Sequence, residues 1–233
     1  MKFFFGGYYL LRLKPLLFGT EKGILVYSSS ECINDNLVGS WSYAWLNDSD
    51  EQAEEAKENL QLTDELIESI RDWVAVKQVE NKLAWPNIFS DIDSMFEYRR
   101  RFFSHIENVA TVGLYFDEES TEQILKQFKP TSNQIAEIGL RSLLSQKLEE
   151  FEKENEDLIG YDFIGVDIAG SFHTFYCHDK ARELEKKFGL SLNSYGLFDS
   201  SDNVPGVLEY INTTTNGFEP DPWFAAKTKL VIE

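Results

Sequence analysis

Apolar runs of two kinds alternate along this chain, and their periods predict its elements. Phe3 to Leu13 is almost continuously apolar and aromatic, the signature of a strand, with Gly6-Gly7 as a bulge or a close approach of backbones. Ile24 to Tyr27 predicts a short second strand. From Asp50 to Asn59 a helix is expected, with Ala53, Ala56 and Leu60 inward. A second helix opens at Thr63 as N-cap, and Leu66, Ile67, Ile70, Trp73 and Val74 recur at helical spacing as its buried stripe. Lys82 to Phe89 is extended around Pro86. Ser90 with Asp93 reads as a capping-box variant that opens a helix to about Ser104, with Ile92, Met95, Phe96, Phe102 and Phe103 inside. Val109 to Phe116 is apolar at nearly every position and predicts an interior strand. Asp117 opens a helix to Phe128, and Ser132 or Asn133 opens a long one to about Lys153. In that second helix Ile135, Ile138, Leu144, Leu148 and Phe151 point inward.

Leu158 to Gly189 then reads strand, tight turn, strand, helix. Ala169-Gly170 between two apolar runs predicts a two-residue turn, which sets Val166 opposite His173 and Ile164 opposite Phe175. Both sides of this hairpin are largely apolar, so it is expected at the centre of a sheet. His178 or Asp179 caps a helix to Phe188, with Gly189 as its C′ residue. A short helix from Val204 to Ile211 and a last strand from Trp223 to Ile232 complete the chain. Strands and helices occur without strict alternation and without a repeat. The pattern therefore predicts a single α+β domain over residues 1–233: one mixed or antiparallel sheet with a central hairpin, packed by several helices.

Composition changes the picture at two points, aromatics and charge. The chain has 18 Phe, 10 Tyr and 5 Trp, and 40 acids against 22 bases give a net charge of -18. That balance disfavours nucleic acid and anionic membrane as partners and steers basic ones toward the surface. Two cysteines, Cys32 and Cys177, make no disulfide framework and fit a reducing cytoplasm. Arg12 and Lys14 interrupt the N-terminal apolar run, so a signal peptide is not expected, and no run approaches the ~20 apolar residues of a membrane span. The acids concentrate from Asp48 to Asp72, ten against the two bases Lys57 and Arg71. They form either the solvated side of an amphipathic helix pair or a patch for a cationic partner. Arg99-Arg100-Arg101 is the only basic run, placed where cations complement a helix C-terminus.

Several chemistries suggest themselves from the residues. His173, Cys177 and His178 suggest a metal, but strand residues four apart lie roughly 13 Å from one another, too far to share one ion. Cys177 beside His178 suggests a thiolate and its base, but neighbours on a strand face apart. Val166 to Ser171 resembles the phosphate loop of the sugar-kinase and actin superfamily, but Ala169 stands at the second glycine and only 62 residues follow Ser171. There is no P-loop and no G-x-G-x-x-G. Asp162 and Asp167 are the carboxylates set in apolar surroundings, where a raised pKa suits proton transfer. A hydrolase site drawn from His173, Cys177, His178 and Asp162 is therefore the enzymatic alternative. No cofactor or metal is expected.

FFFGGYY, GSFHTFYCHD and EPDPWF resemble stretches of uncharacterised bacterial soluble proteins, and the acidic, aromatic-rich profile is similar to that of bacterial immunity proteins. The profile implies a cytoplasmic protein that neutralises a basic protein such as a toxin, without catalysis. The contact surface expected on that basis combines the aromatics Trp41, Tyr43 and Trp45 with Asp50, Glu51, Glu54, Glu55, Glu58, Asp64, Glu65 and Glu68, since Trp and Tyr dominate binding hot spots.

Overall fold

A computed structural model describes residues 2–12, 14–16, 26–28, 57–58, 60–84, 88–127, 139–150, 155–166, 172–174, 181–191, 193–195, 197–213 and 222–233. Seven strands form one sheet, antiparallel at every pairing, in the order β4 (Leu83–Ala84), β5 (Ile88–Phe89), β1 (Phe3–Arg12), β6 (Val109–Asp117), β9 (Trp223–Val231), β7 (Glu156–Val166), β8 (Phe172–Thr174). β2 (Lys14–Leu16) and β3 (Val26–Ser28) make a separate antiparallel pair. The described helices are α1 (Asp64–Val79), α2 (Ile92–Phe102), α3 (Glu118–Gln127), α4 (Gly139–Ser145), α5 (Ala181–Phe188) and α6 (Val204–Thr213). The fold is α+β.

Helices cover both faces of the sheet, and the alternation of side chains along β9 shows how. Phe224 and Ala226 face α3 and α4, where Ile124, Leu140, Leu143 and Leu144 meet Val112, Leu114 and Phe116. Trp223 and Ala225 face the other way, toward Val204, Val207 and Ile211 of α6 and Leu184 of α5. On that second face α1 and α2 cover the β1 half, with Ile70, Trp73, Met95 and Phe102 against Tyr8, Leu10 and Tyr115. The sequence signals act locally as their chemistry requires. Thr63 Oγ1 accepts the Leu66 N–H at 3.2 Å, and Ile67, Ile70, Trp73 and Val74 are buried beneath α1. The register of β1 shifts between Phe5 and Gly7. Gly7 sits at φ +122°, and a Cβ there would lie 2.0 Å from Ile88 Cγ2, so only glycine fits.

Four expectations are corrected. The β7–β8 hairpin lies at one end of the sheet, not its centre; β6, buried along almost its whole length, takes the middle. Its register is displaced by one residue from a two-residue turn: Val166 stands opposite Phe172 and Gly165 opposite His173. The displacement places two apolar residues across from one another where the expected register set Val166 against His173. The long helix expected to reach Lys153 ends at Ser145. Beyond a left-handed Lys147 (φ +48°), the chain runs extended beside β1, with the Phe5 N–H donating to Leu148 O at 2.9 Å and the Glu150 N–H to Phe3 O at 2.7 Å. Leu148, expected inside, is 49% exposed. The N-cap of α2 is Asp91 rather than Ser90, and its carboxylate accepts from both the backbone and the hydroxyl of Ser94.

Candidate functional site

A groove of 1140 Å³ opens beside the point where β6 ends and β9 continues. One wall is α3, which presents Glu118, Glu119, Glu122, Gln123 and Gln127, positions that recur at helical spacing on one side. Asp117 starts this wall: its Oδ1 accepts the Ser120 N–H at 2.7 Å, and Ile124 anchors the helix in the core. The opposite wall is α6 with the turn before it, presenting Ser201, Asp202, Pro205, Leu208, Glu209 and Asn212. Between them lie Phe3, Tyr161, Ala225 and Lys227 of the sheet.

One residue fixes the α6 wall to the sheet. The β6–β9 ladder stops at the Phe116–Ala226 pair, so Trp223 has no partner on β6. The Asn212 side chain stands in for it. The Trp223 N–H donates to Asn212 Oδ1 at 2.9 Å, and Asn212 Nδ2 donates to Trp223 O at 3.0 Å. Both backbone groups that β9 would offer at this step are thereby satisfied within the chain.

The electrostatics of the groove are one-sided. Six acids line it (Asp117, Glu118, Glu119, Glu122, Asp202 and Glu209) against two lysines, Lys2 and Lys227. Each lysine has its own counter-ion: Lys2 pairs with Glu149 at 2.6 Å, and Lys227 with both oxygens of Glu150 at 2.7 and 2.9 Å. Glu122 pairs with Lys147, while Glu118, Asp202 and Glu209 have no ion pair among the described residues. The wall charges are therefore left negative.

Lys227 also links the groove to a buried ionic cluster on the side of the sheet that carries Tyr8 and Tyr115. Lys229 Nζ lies 2.6 Å from Glu150 Oε1 and 3.8 Å from Glu156 Oε2. Glu156 accepts from Tyr115 at 2.6 Å and from Tyr8 at 3.3 Å. Burial pushes the Glu150 carboxyl up, but hydrogen bonds and charge from Lys227 and Lys229 outweigh it and hold the group below the ordinary carboxylate range. Burial, then the hydrogen bond to Glu156, pushes the Tyr115 phenol well above the usual tyrosine value. Two carboxylates and two ammoniums cancel.

The residues singled out in the sequence fall elsewhere. Trp41, Tyr43, Trp45, Asp50, Glu51, Glu54, Glu55, Cys177 and His178 lie outside the described residues. Glu58, Asp64, Glu65 and Glu68 are exposed at and before the start of α1, with Lys57 3.8 Å from Asp64, and none of them lines the groove. Asp162 is buried on the side of the sheet occupied by Tyr9, and its Oδ1 accepts the Phe163 N–H at 2.8 Å. Burial and then the Asp162 charge raise the Tyr9 phenol. The register sets His173 opposite Gly165, three positions along β7 from Asp162. Among the described residues no group of three His, Cys, Asp or Glu side chains could hold a metal ion, and no helix is long and apolar enough to cross a membrane. The groove's acids are not marked in the sequence, because Asp117-Glu118-Glu119 reads as an ordinary acidic first turn; α6 is legible as a short helix from Val204 to Ile211, but nothing in it points to a shared groove. No family model matches this chain, and no curated protein or solved structure gives a significant match.

Proposed function

We propose that this chain is a non-catalytic binding protein that takes up a basic protein partner in the groove between α3 and α6. The observation that carries this reading is the pairing of acidic walls with a partly apolar floor in one concave site of 1140 Å³. A concave apolar surface supplies contact area, and the unpaired carboxylates above it select cations. The net charge of -18 adds long-range attraction, which speeds encounter with a basic partner and is screened over about 8 Å at physiological salt. A basic toxin is one partner of this class, in keeping with the immunity-like profile of the sequence.

The test reverses the walls. Glu118→Lys, Asp202→Lys and Glu209→Lys are exposed changes that leave the core intact. Native protein and the triple variant are used as bait for host proteins at low and high salt, and the recovered basic partner is then titrated in purified form. The reading expects binding to the native chain that weakens with salt and is lost in the variant. Equal binding by both would remove the groove as the contact surface.

A further inference from the structure

The groove has a shape as well as a charge, and the shape chooses between kinds of peptide. We infer that its occupant is a basic amphipathic α-helix of about two turns, contributed by the partner; the inference rests on the binding reading above. Three observations lead there.

The first is dimension. The wall of α3 runs from Glu118 to Gln127, which spans about 14 Å at 1.5 Å per residue. A helix ~10–12 Å across and ~14 Å long fills on the order of 1100–1600 Å³. The groove offers 1140 Å³.

The second is the arrangement of charge. Carboxylates stand on both walls, Glu118 and Glu119 on one and Asp202 and Glu209 on the other, with the apolar Phe3 on the sheet between them and Leu208 on the α6 wall. A helix can turn one apolar stripe to the floor and carry cations along both borders of that stripe. An extended strand sends successive side chains to opposite faces, so it would turn half of them away from the groove.

The third is the state of the sheet edge. An added strand gains its affinity from main-chain hydrogen bonds to an open edge. At Trp223, the step of β9 where β6 has already ended, the N–H and C=O are both engaged by Asn212. A strand laid there would have to displace that amide. A helix satisfies its own backbone internally and asks nothing of the edge.

Two synthetic peptides of identical composition test this. Both are Ala-rich, about sixteen residues long so that a helix can form, and carry Leu at positions i, i+4, i+7 and i+11 bordered by Lys. One has a proline near its C-terminal end, and the other has the same proline at its centre, where it breaks the helix. Binding to the native full-length chain is followed by fluorescence anisotropy at low ionic strength, and helix gain by far-UV circular dichroism. The inference expects the uninterrupted peptide to bind at least tenfold tighter, to gain helix on binding, and to lose binding to the Glu118→Lys/Glu209→Lys variant. Equal affinity for both peptides, sensitive to the variant, overturns the helical occupant and leaves the groove as a site for basic segments. No binding of either peptide, or binding indifferent to the variant, overturns the groove reading itself.

Discussion

Replacing Glu150 by Gln is the sharpest test of the packing account, because this one carboxylate holds two lysines. Glu150 sits at the end of the segment that runs beside β1, and it is contacted at 2.7 and 2.9 Å by Lys227 and at 2.6 Å by Lys229. The amide keeps the volume and an acceptor oxygen but removes the charge. Lys229, with 6% of its side chain exposed, would keep only Glu156 at 3.8 Å; Lys227, 17% exposed, would keep no carboxylate within 4 Å among the described residues. Breaking a buried pair by removing one partner costs about 3–5 kcal/mol, and the residual exposure of Lys227 places this case near the lower end, about 3 kcal/mol. Urea unfolding followed by tryptophan fluorescence reads the loss as a fall of about 1 M or somewhat less in midpoint, since the slope for a chain of this size is about 3 kcal/mol per molar or more. The Glu150→Gln/Lys227→Met double variant should recover part of the loss, since it leaves one ammonium fewer without a counter-ion. The pH dependence has a definite sign. The folded carboxyl is held below its ordinary value, so its contribution is complete above the unfolded pKa near 4.5 and is lost as pH falls through the lower folded value. Native protein should therefore lose its advantage over Glu150→Gln in that acid window and nowhere above it. A midpoint unchanged at neutral pH, or no coupling between Glu150 and Lys227, would refute the reasoning.

Three further outcomes follow from the geometry. Asn212→Ala removes the acceptor of the Trp223 N–H and the donor to its C=O at a buried strand end, and should cost about 2 kcal/mol or more by urea unfolding, at ~1–3 kcal/mol per buried hydrogen-bonding group deprived of its partner. Gly7→Ala places a methyl 2.0 Å from Ile88 at a positive φ, and should abolish soluble expression or lower thermal stability far more than Gly113→Ala, whose added carbon meets nothing closer than 3.3 Å. Thr63→Ala removes the α1 cap and should cost about 1 kcal/mol, with Thr63→Ser restoring it.

Local chemistry was legible in the sequence; long-range partnership was not. The Thr63 cap, the apolar run of β6 and the glycine bulge of β1 follow from neighbours within a few residues, and each stands where its spacing put it. The place of the hairpin in the sheet does not follow in this way. Its apolar character on both faces says that helices cover it, and they do, but not which strand lies beside it; β9, from the far end of the chain, inserts between β6 and β7. Nothing next to Lys227 and Lys229 in the sequence names the group that pairs them. Lys229 is buried and Lys227 half-buried, both held by Glu150 from at least 77 residues away in the chain. Leu148 fits a helical stripe by period, but the extended path that brings Glu150 to those lysines turns it outward. The groove was unreadable for the same reason: its walls belong to α3 and α6, and the Asn212–Trp223 contact that fixes one of them is a tertiary event.

The groove itself is tested most directly by mapping amide chemical shifts of the labelled protein as the uninterrupted basic peptide is titrated in at low and at physiological salt. Shifts confined to Glu118–Gln127, Val204–Thr213 and Trp223–Ala225, weaker at the higher salt, are the predicted result. Shifts centred on the acids of Asp64–Asp72, or spread evenly over the acidic surface, would contradict it.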